Sequence, residues 1–562
     1  MAKDKIKFNA KKTDVFLKKH YAIIILVLIM ILGLYFRLYH LNYPAIGYHN
    51  QKEIHYLTEA RDFAKDGFFE HGFFIPERGS YNHEKHPDGI HGDTFPITQI
   101  IGAAMFGMFG YELWAARLPG MLMNLFTILL VYLFLKKLFK REDIALTAAA
   151  LTAINPLFVF YSHNFQLINA CLFFMMLSGY FFLRWKESKK MVDIILTSVF
   201  LSIATMSKYP FLVIIVPLLF IFPYKDLIKK PKKYWPGLGI AIVIFLFLVG
   251  GWFLHEVNHQ PQIEGVGDSY EFKAIDPGKI FSEQFKQSTP YYLADNFTTL
   301  GFWFAIIGLV GGLIMFFLKK KKEQDWFFIG CIVASILFVL IMAGKLAGHN
   351  YHYFPIAPIV IFFMAYFMLL VANTISGVLK KYRVVIKSLF IIVLILLVLT
   401  PSIQAKNRQF DQQFFGLDVA GDYINQAKSP GDEMINSGHQ SYGLTWNGDI
   451  KSTRGIPTTV EELQVLESER NIQWIFLYEY QTGRISQMRA NPELWNYVQQ
   501  NYKLKQLGFF QNQQQINLVY YILKKGGSFN ESGLNDLVQG KQILTKTYET
   551  SKQQITFSYM NI

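Results

Sequence analysis

The chain is short of charge. Only 17% of its 562 residues are Asp, Glu, Lys or Arg, where soluble domains carry roughly 25%, and this excludes a wholly soluble protein. Cysteine is nearly absent: Cys171 and Cys331 both lie inside apolar runs, so no disulfide framework supports an exposed domain. No small-residue cleavage site follows the first apolar run, Tyr21 to Tyr39, which therefore reads as a retained helix and not a signal peptide. Internal repeats and low-complexity tracts are also missing.

Apolar residues fill the space left by charge, at 52% of the chain with 16% aromatic. Runs of spanning length fall at about 21–39, 115–135, 144–161, 165–183, 192–207, 210–223, 236–254, 299–318, 326–343, 354–372 and 385–401. The expectation is a polytopic α-helical membrane protein of about eleven transmembrane helices. The formal charge of +14 raises the question of nucleic acid, but 28 of the 55 Lys and Arg lie in six short segments at alternate ends of these runs. That is the positive-inside pattern, not a phosphate-tracking stripe, so no nucleic-acid partner is expected. It places the basic residues 1–20 in the cytoplasm and, after an odd number of spans, the C-terminal domain outside. The location expected is a plasma membrane.

The membrane domain is bounded at 21–404. Two long outer loops interrupt it, 41–96 and 255–296, whereas a plain connector needs only a few residues. Residues 95–109 are apolar but short and glycine-interrupted, so they are expected to re-enter or lie at the interface. Residues 405–526 alternate helical patterns at 417–427 and 459–469 with strand-like runs at 433–436, 473–478 and 516–523, which predicts an extracytoplasmic α/β domain. Residues 527–562 are polar, without a readable fold. All fourteen histidines except His20 fall on the outer side of this topology, so polar binding or chemistry is expected there; the plainer reading is that long loops collect polar residues.

Several short motifs, in order, resemble the C-type (GT-C) glycosyltransferase superfamily, in particular the branch of the dolichyl-phosphate-mannose protein mannosyltransferases and lipid A aminoarabinose transferases. Lys52 and Glu53 with Ala60 and Arg61 match the acidic pair and Ala-Arg of the first outer loop, except that Lys52 replaces the first acid. Asp93 to Pro96 lead to Phe109 and Gly110, and Ala116 to Pro119 follow. Asn155-Pro156, then Tyr161 to His163 where many members have Ser-Arg, Ser207-Lys208, and His349 to Pro355 complete the set. The position that is commonly Asp is Ile168 or Asn169 here. The resemblance implies an enzyme that moves a sugar from a polyprenyl-phosphate carrier to a hydroxyl of a glycan, lipid or protein acceptor, among membrane lipids.

Such chemistry needs a carboxylate, cations for the phosphate and a binding surface for sugar. Glu53, Asp93 and Asp88 are the catalytic candidates. Glu53 also fits a capping box with Asn50, and Asp93 fits a turn. Arg61, Arg117 and Lys208 are the expected phosphate ligands, with snorkelling at span ends as the structural alternative. His49, His163, His349, Tyr351, His352 and Tyr353 are candidates for substrate contact, the tyrosines alternatively forming an interfacial belt. His86, His91 and Asp93 fit a divalent ion by residue type but match no fixed metal motif. Two other classes fit the composition: a transporter or flippase of lipid-linked saccharide, or a non-catalytic glycan-assembly protein. Ionisable residues crowd the loops instead of mid-membrane positions, which favours the enzyme.

Overall fold

All eleven apolar runs are helical in the computed structural model, which describes residues 2–68, 75–76, 90–91, 94–259, 275–378, 380–438, 443–512 and 515–562. Among these, eight helices are long and apolar enough to cross a membrane, or nine if one bent pair counts as a span. The two others, Met191–Ser207 and Tyr209–Phe220, are shorter than a straight crossing needs. A count of eleven spans therefore rests on those two.

The first eight helices build the part that matters for the site: α1 (Ala2–Leu38), α2 (Asn50–Asp66), α3 (Ile97–Phe109), α4 (Leu113–Phe139), α5 (Glu142–Ile154), α6 (Pro156–Ser162), α7 (Leu167–Ser188) and α8 (Met191–Ser207). α2 belongs to the first long loop and packs on α3, the short apolar helix that follows it. α5 and α6 are the bent pair, meeting at 52°. Pro156 causes the break: it disfavours a helical Asn155, whose ψ of 125° is extended, and the Asn155 side chain then caps α6 by accepting from the Phe158 N–H.

A broken helix leaves carbonyls without partners inside the bundle. Arg37 of α1 supplies them. Its guanidinium, fully buried, donates to the Ala153 carbonyl at 3.1 Å, the Thr152 carbonyl at 3.4 Å and Asn124 Oδ1 at 2.8 Å. Asn124 passes the connection to Asn169 at 2.7 Å, and Asn169 donates to the Tyr161 carbonyl at 2.8 Å. A residue at the end of the first span, which by position alone invites an interfacial role, is thus the polar clamp of a kinked helix.

The helix Arg383–Phe410 carries the last span past 404 and delivers the chain to a seven-stranded sheet. Its strands are β1 (Glu433–Asn436), β2 (Lys451–Arg454), β3 (Ile472–Tyr478), β4 (Tyr502–Asn512), β5 (Gln515–Lys525), β6 (Leu544–Glu549) and β7 (Gln554–Asn561), in the order β2-β1-β3-β5-β4-β7-β6. The first three are mutually parallel and the rest antiparallel. Along β3, Trp474, Phe476 and Tyr478 pack into one core while Ile475 and Leu477 pack into another. This period-two alternation means that both faces of the sheet are covered. The polar segment after 526 completes this same sheet through β6 and β7, with β7 beside β4.

The sheet domain sits directly on the first loop. Trp446, from the short helix Gly443–Gly448, is buried with Ile54, Leu57 and Ala60 of α2, Phe106 of α3 and Phe165. At Gly443 a Cβ would come within 3.2 Å of the Ala45 carbonyl, so glycine is what allows this approach.

Candidate active site

The amino end of α2 is the centre of the site. His49, with φ of 59°, is the residue before the helix and makes no side-chain cap, so the Asn50 and Glu53 capping box expected from sequence does not form. The Glu53 carboxylate goes elsewhere. Its Oε1 accepts from Arg117 Nε at 2.7 Å and from the Phe165 backbone N–H at 2.9 Å, and both ionic side chains are about 95% buried. Arg117 also donates to the Leu41 and Tyr43 carbonyls at 3.1 and 2.6 Å. Charge-assisted bonds of this kind hold a carboxylate in one orientation. Among the described residues no hydrogen bond reaches the remaining oxygen, Oε2, and Glu53 lines a cavity of about 30 Å³ together with Arg117, His40, Phe160, His163, Asn164 and Phe410.

Consecutive helical residues project about 100° apart, so Lys52 faces a different wall from Glu53. That wall is cationic. Lys208, following α8, places its Nζ 5.2 Å from the centre of the Tyr351 ring. The Tyr351 ring is stacked on His349 at 5.3 Å and lies 4.4 Å from His352. His49 meets His349 edge-on at 4.9 Å and Tyr351 at 5.4 Å. Burial first, then the charges of Lys52, Lys208 and Lys345, push the His349 imidazole down to about 4. Burial, with His349 beside it, takes His49 down to about 3. Both rings are neutral near pH 7 and lie among three ammonium groups.

The remaining candidates fall in distinct places. His163 lies in the Glu53 cavity, and burial holds its pKa at about 3. Tyr353 is buried on the far side of its turn, toward Thr289. Arg61 is committed to the sheet domain: it donates to the Trp446 carbonyl at 2.7 Å, pairs with Asp449 at 3.0 Å and lies 4.9 Å over the Trp446 ring. Asp88, Asp93, His86 and the side chain of His91 lie outside the described residues. Among the described residues, no group of three or more His, Cys, Asp or Glu side chains is placed to hold a metal ion.

Sequence reasoning passed over Lys345, which sits in the last turn of the helix Glu323–Gly348. A lysine there reads as an ordinary span end. It also passed over the buried pair of His55 and Glu59, 2.6 Å apart with Gln99 donating to the same carboxylate at 2.8 Å. The i, i+4 spacing on a predicted loop helix was the available signal.

A bundle of apolar helices, a first loop that folds a buried carboxylate against its guanidinium partner and a sheet domain on top make up the chain. Within it, residues 85–252 match the family described as dolichyl-phosphate-mannose-protein mannosyltransferase. Among solved structures, the chain is similar to ArnT from Cupriavidus metallidurans in the apo state, with a TM-score of 0.56 and 11% identity over 88% of this chain and 97% of that one. The same protein bound to undecaprenyl phosphate gives a TM-score of 0.50 at 12% identity over 95% and 97%. The arabinofuranosyltransferase AftD from Mycobacteria gives 0.53 at 9% over 91% of this chain and 40% of that one. At these identities the likeness is one of fold. No curated protein sequence matches the chain.

Proposed function

We propose that the protein transfers a sugar from a polyprenyl-phosphate carrier to an acceptor hydroxyl at the cleft that begins at the amino end of α2. The observation that carries this reading is the division of labour across one helical turn, with a carboxylate paired to a guanidinium on one wall and three ammonium groups with two neutral imidazoles on the next. The reaction needs that separation. As the acceptor oxygen bonds to the anomeric carbon, its proton passes to Glu53 Oε2, and the bond from that carbon to the phosphate oxygen breaks. The electron pair leaves on the polyprenyl phosphate, whose charge Lys208, Lys345 and Lys52 stabilise. Neutral His49 and His349 can donate hydrogen bonds to phosphate oxygens without adding charge. Arg117 holds Glu53 in one rotamer, and Arg61 fixes α2 to the sheet domain. The phosphate-bound neighbour makes undecaprenyl phosphate the natural probe. In purified protein, Lys208→Gln and Lys345→Gln should each weaken its binding roughly ten- to a hundred-fold, the scale of a lost charged hydrogen bond. Unchanged binding in both variants would remove the phosphate from this wall.

A further inference from the structure

The cavity beside Glu53 contains a hydrogen-bonding requirement that the carboxylate chemistry does not use. His163 Nδ1 lies 2.8 Å from the Val159 carbonyl oxygen, which can only accept. Nδ1 therefore carries the ring proton and Nε2 presents a lone pair. His163 is 98% buried, and its Nε2 makes no hydrogen bond. Next to it, Asn164 is 92% buried and its Nδ2 donors are also without partners. Both residues line the cavity with Glu53 and Arg117. Buried polar atoms are nearly always satisfied, so an acceptor and a donor on consecutive residues of one cavity wall define what completes them.

We propose that His163 and Asn164 form a hydroxyl-recognition subsite, taking one hydroxyl of a sugar as donor to His163 Nε2 and acceptor from Asn164 Nδ2. The inference rests on the glycosyltransferase reading of Glu53. Charge selects the ligand class. A phosphate or carboxylate would face the Nε2 lone pair and the Glu53 carboxylate, and an ammonium would be buried beside Arg117. A neutral hydroxyl meets neither penalty and satisfies both partners. Phe160 and Phe410, 5.0 Å apart on the same cavity, offer apolar walls to the carbon face of a sugar ring. Where many members of the resembled family have arginine, this chain has His163, a group that reads a hydroxyl and not an anion.

The test uses the full chain in detergent and two readouts. The first is saturation-transfer NMR with methyl α-mannoside and its four monodeoxy analogues at millimolar concentration. The second is glycosyl transfer from polyprenyl-phosphate mannose, with donor and acceptor KM measured separately. Wild type should discriminate against one deoxy analogue roughly ten- to a hundred-fold, the effect of leaving a buried acceptor unpaired. His163→Phe should lose that discrimination, and His163→Gln, which keeps an acceptor, should recover part of it. A raised donor KM assigns the hydroxyl to the transferred sugar, and a raised acceptor KM assigns it to the acceptor. Wild type that binds all five glycosides alike overturns the subsite, a result that needs no variant to fold. Discrimination without transfer by wild type supports the subsite and sinks the enzymatic reading; transfer without discrimination does the reverse.

Discussion

Glu53 and Arg117, sixty-four positions apart, form a buried ion pair of 2.7 Å in which the carboxylate also accepts a backbone N–H. Such a pair is costly to halve. Arg117→Gln leaves a charge buried without compensation, a loss of roughly 3–5 kcal/mol. The double variant Glu53→Gln, Arg117→Gln should recover much of that stability, as read by thermal unfolding in detergent. Turnover should separate the roles: in the Glu53→Gln protein that folds, transfer should slow by about 10² to 10⁴-fold if the carboxylate has the proposed role of proton acceptor. A folded Glu53→Gln variant with near-normal turnover would place the chemistry elsewhere.

Three histidines, His163 buried, His49 half-buried and His349 the most exposed, predict an acid dependence of stability. An unfolded imidazole takes up a proton near pH 6.5, whereas His49 and His163 stay neutral to about 3 and His349 to about 4. Between those values the unfolded chain binds more protons, so stability rises with pH and falls as pH drops below about 6.5, with a limiting slope of about 1.4 kcal/mol per unit for buried His163 and less for His49 and for solvent-screened His349. Thermal midpoints measured from pH 7.5 to 5 should therefore decline, and His49→Gln or His349→Gln should flatten the curve. A midpoint that is level over this range would contradict the assigned neutral rings.

Arg61 and Lys65 both reach Asp449, at 3.0 and 2.9 Å, and tie the loop helix to the sheet domain. Burial works to raise the Asp449 pKa, but the two cations overcome it and hold the carboxyl below its ordinary value. The clamp is therefore fully present above about pH 4 and is lost only as pH falls through the depressed value. Arg61→Gln should increase proteolysis at the loop and domain junction several-fold at neutral pH. Asp449→Asn should do so more weakly, since that carboxylate is 39% exposed and screened. Equal protease resistance in wild type and Arg61→Gln would show that apolar packing of Trp446 holds the junction alone.

Orientation can be read by labelling. The only cysteines, Cys171 and Cys331, are buried, so single cysteines at Ser468 and Lys320 report cleanly. With the sheet domain outside, an impermeant thiol reagent on intact cells should label the Ser468 site and spare the Lys320 site. The opposite pattern would invert the topology.

Much of this architecture is legible because membranes impose length and charge rules on sequence. Helices at 417–427 and 460–469 and strands at 433–436 and 472–478 agree with the alternation read from the residues. The strand 502–512 was missed because Lys503, Lys505, Gln506 and Gly508 break its apolar pattern, and only pairing with β5 and β7 makes it a central strand. At the candidate site, sequence offered Glu53, Lys208 and the His349 cluster as candidates but not how they divide. Arg61, Arg117 and Lys208 are equivalent as cations in sequence. Tertiary partners alone distinguish one bound to Asp449, one to Glu53 and one placed over a tyrosine ring. The capping reading of Glu53 failed for the same reason, since no local pattern announces a partner sixty-four residues away.

The Tyr43 hydroxyl donates to Gln413 Oε1 at 2.8 Å and accepts from the Glu549 backbone N–H at 3.1 Å, so an early loop is fastened to one of the last strands across 506 positions. During synthesis at about 5–20 residues per second, that loop exists for roughly half a minute to two minutes before its fastening is made. Spans can be inserted one after another, but the wall of the cleft beside Glu53 that holds Gln413 and Tyr43 is assembled only once nearly the whole chain has emerged. The Arg61–Asp449 clamp can draw the loop to the sheet domain about a hundred residues earlier, so the Tyr43 fastening is the last part of this seam to close.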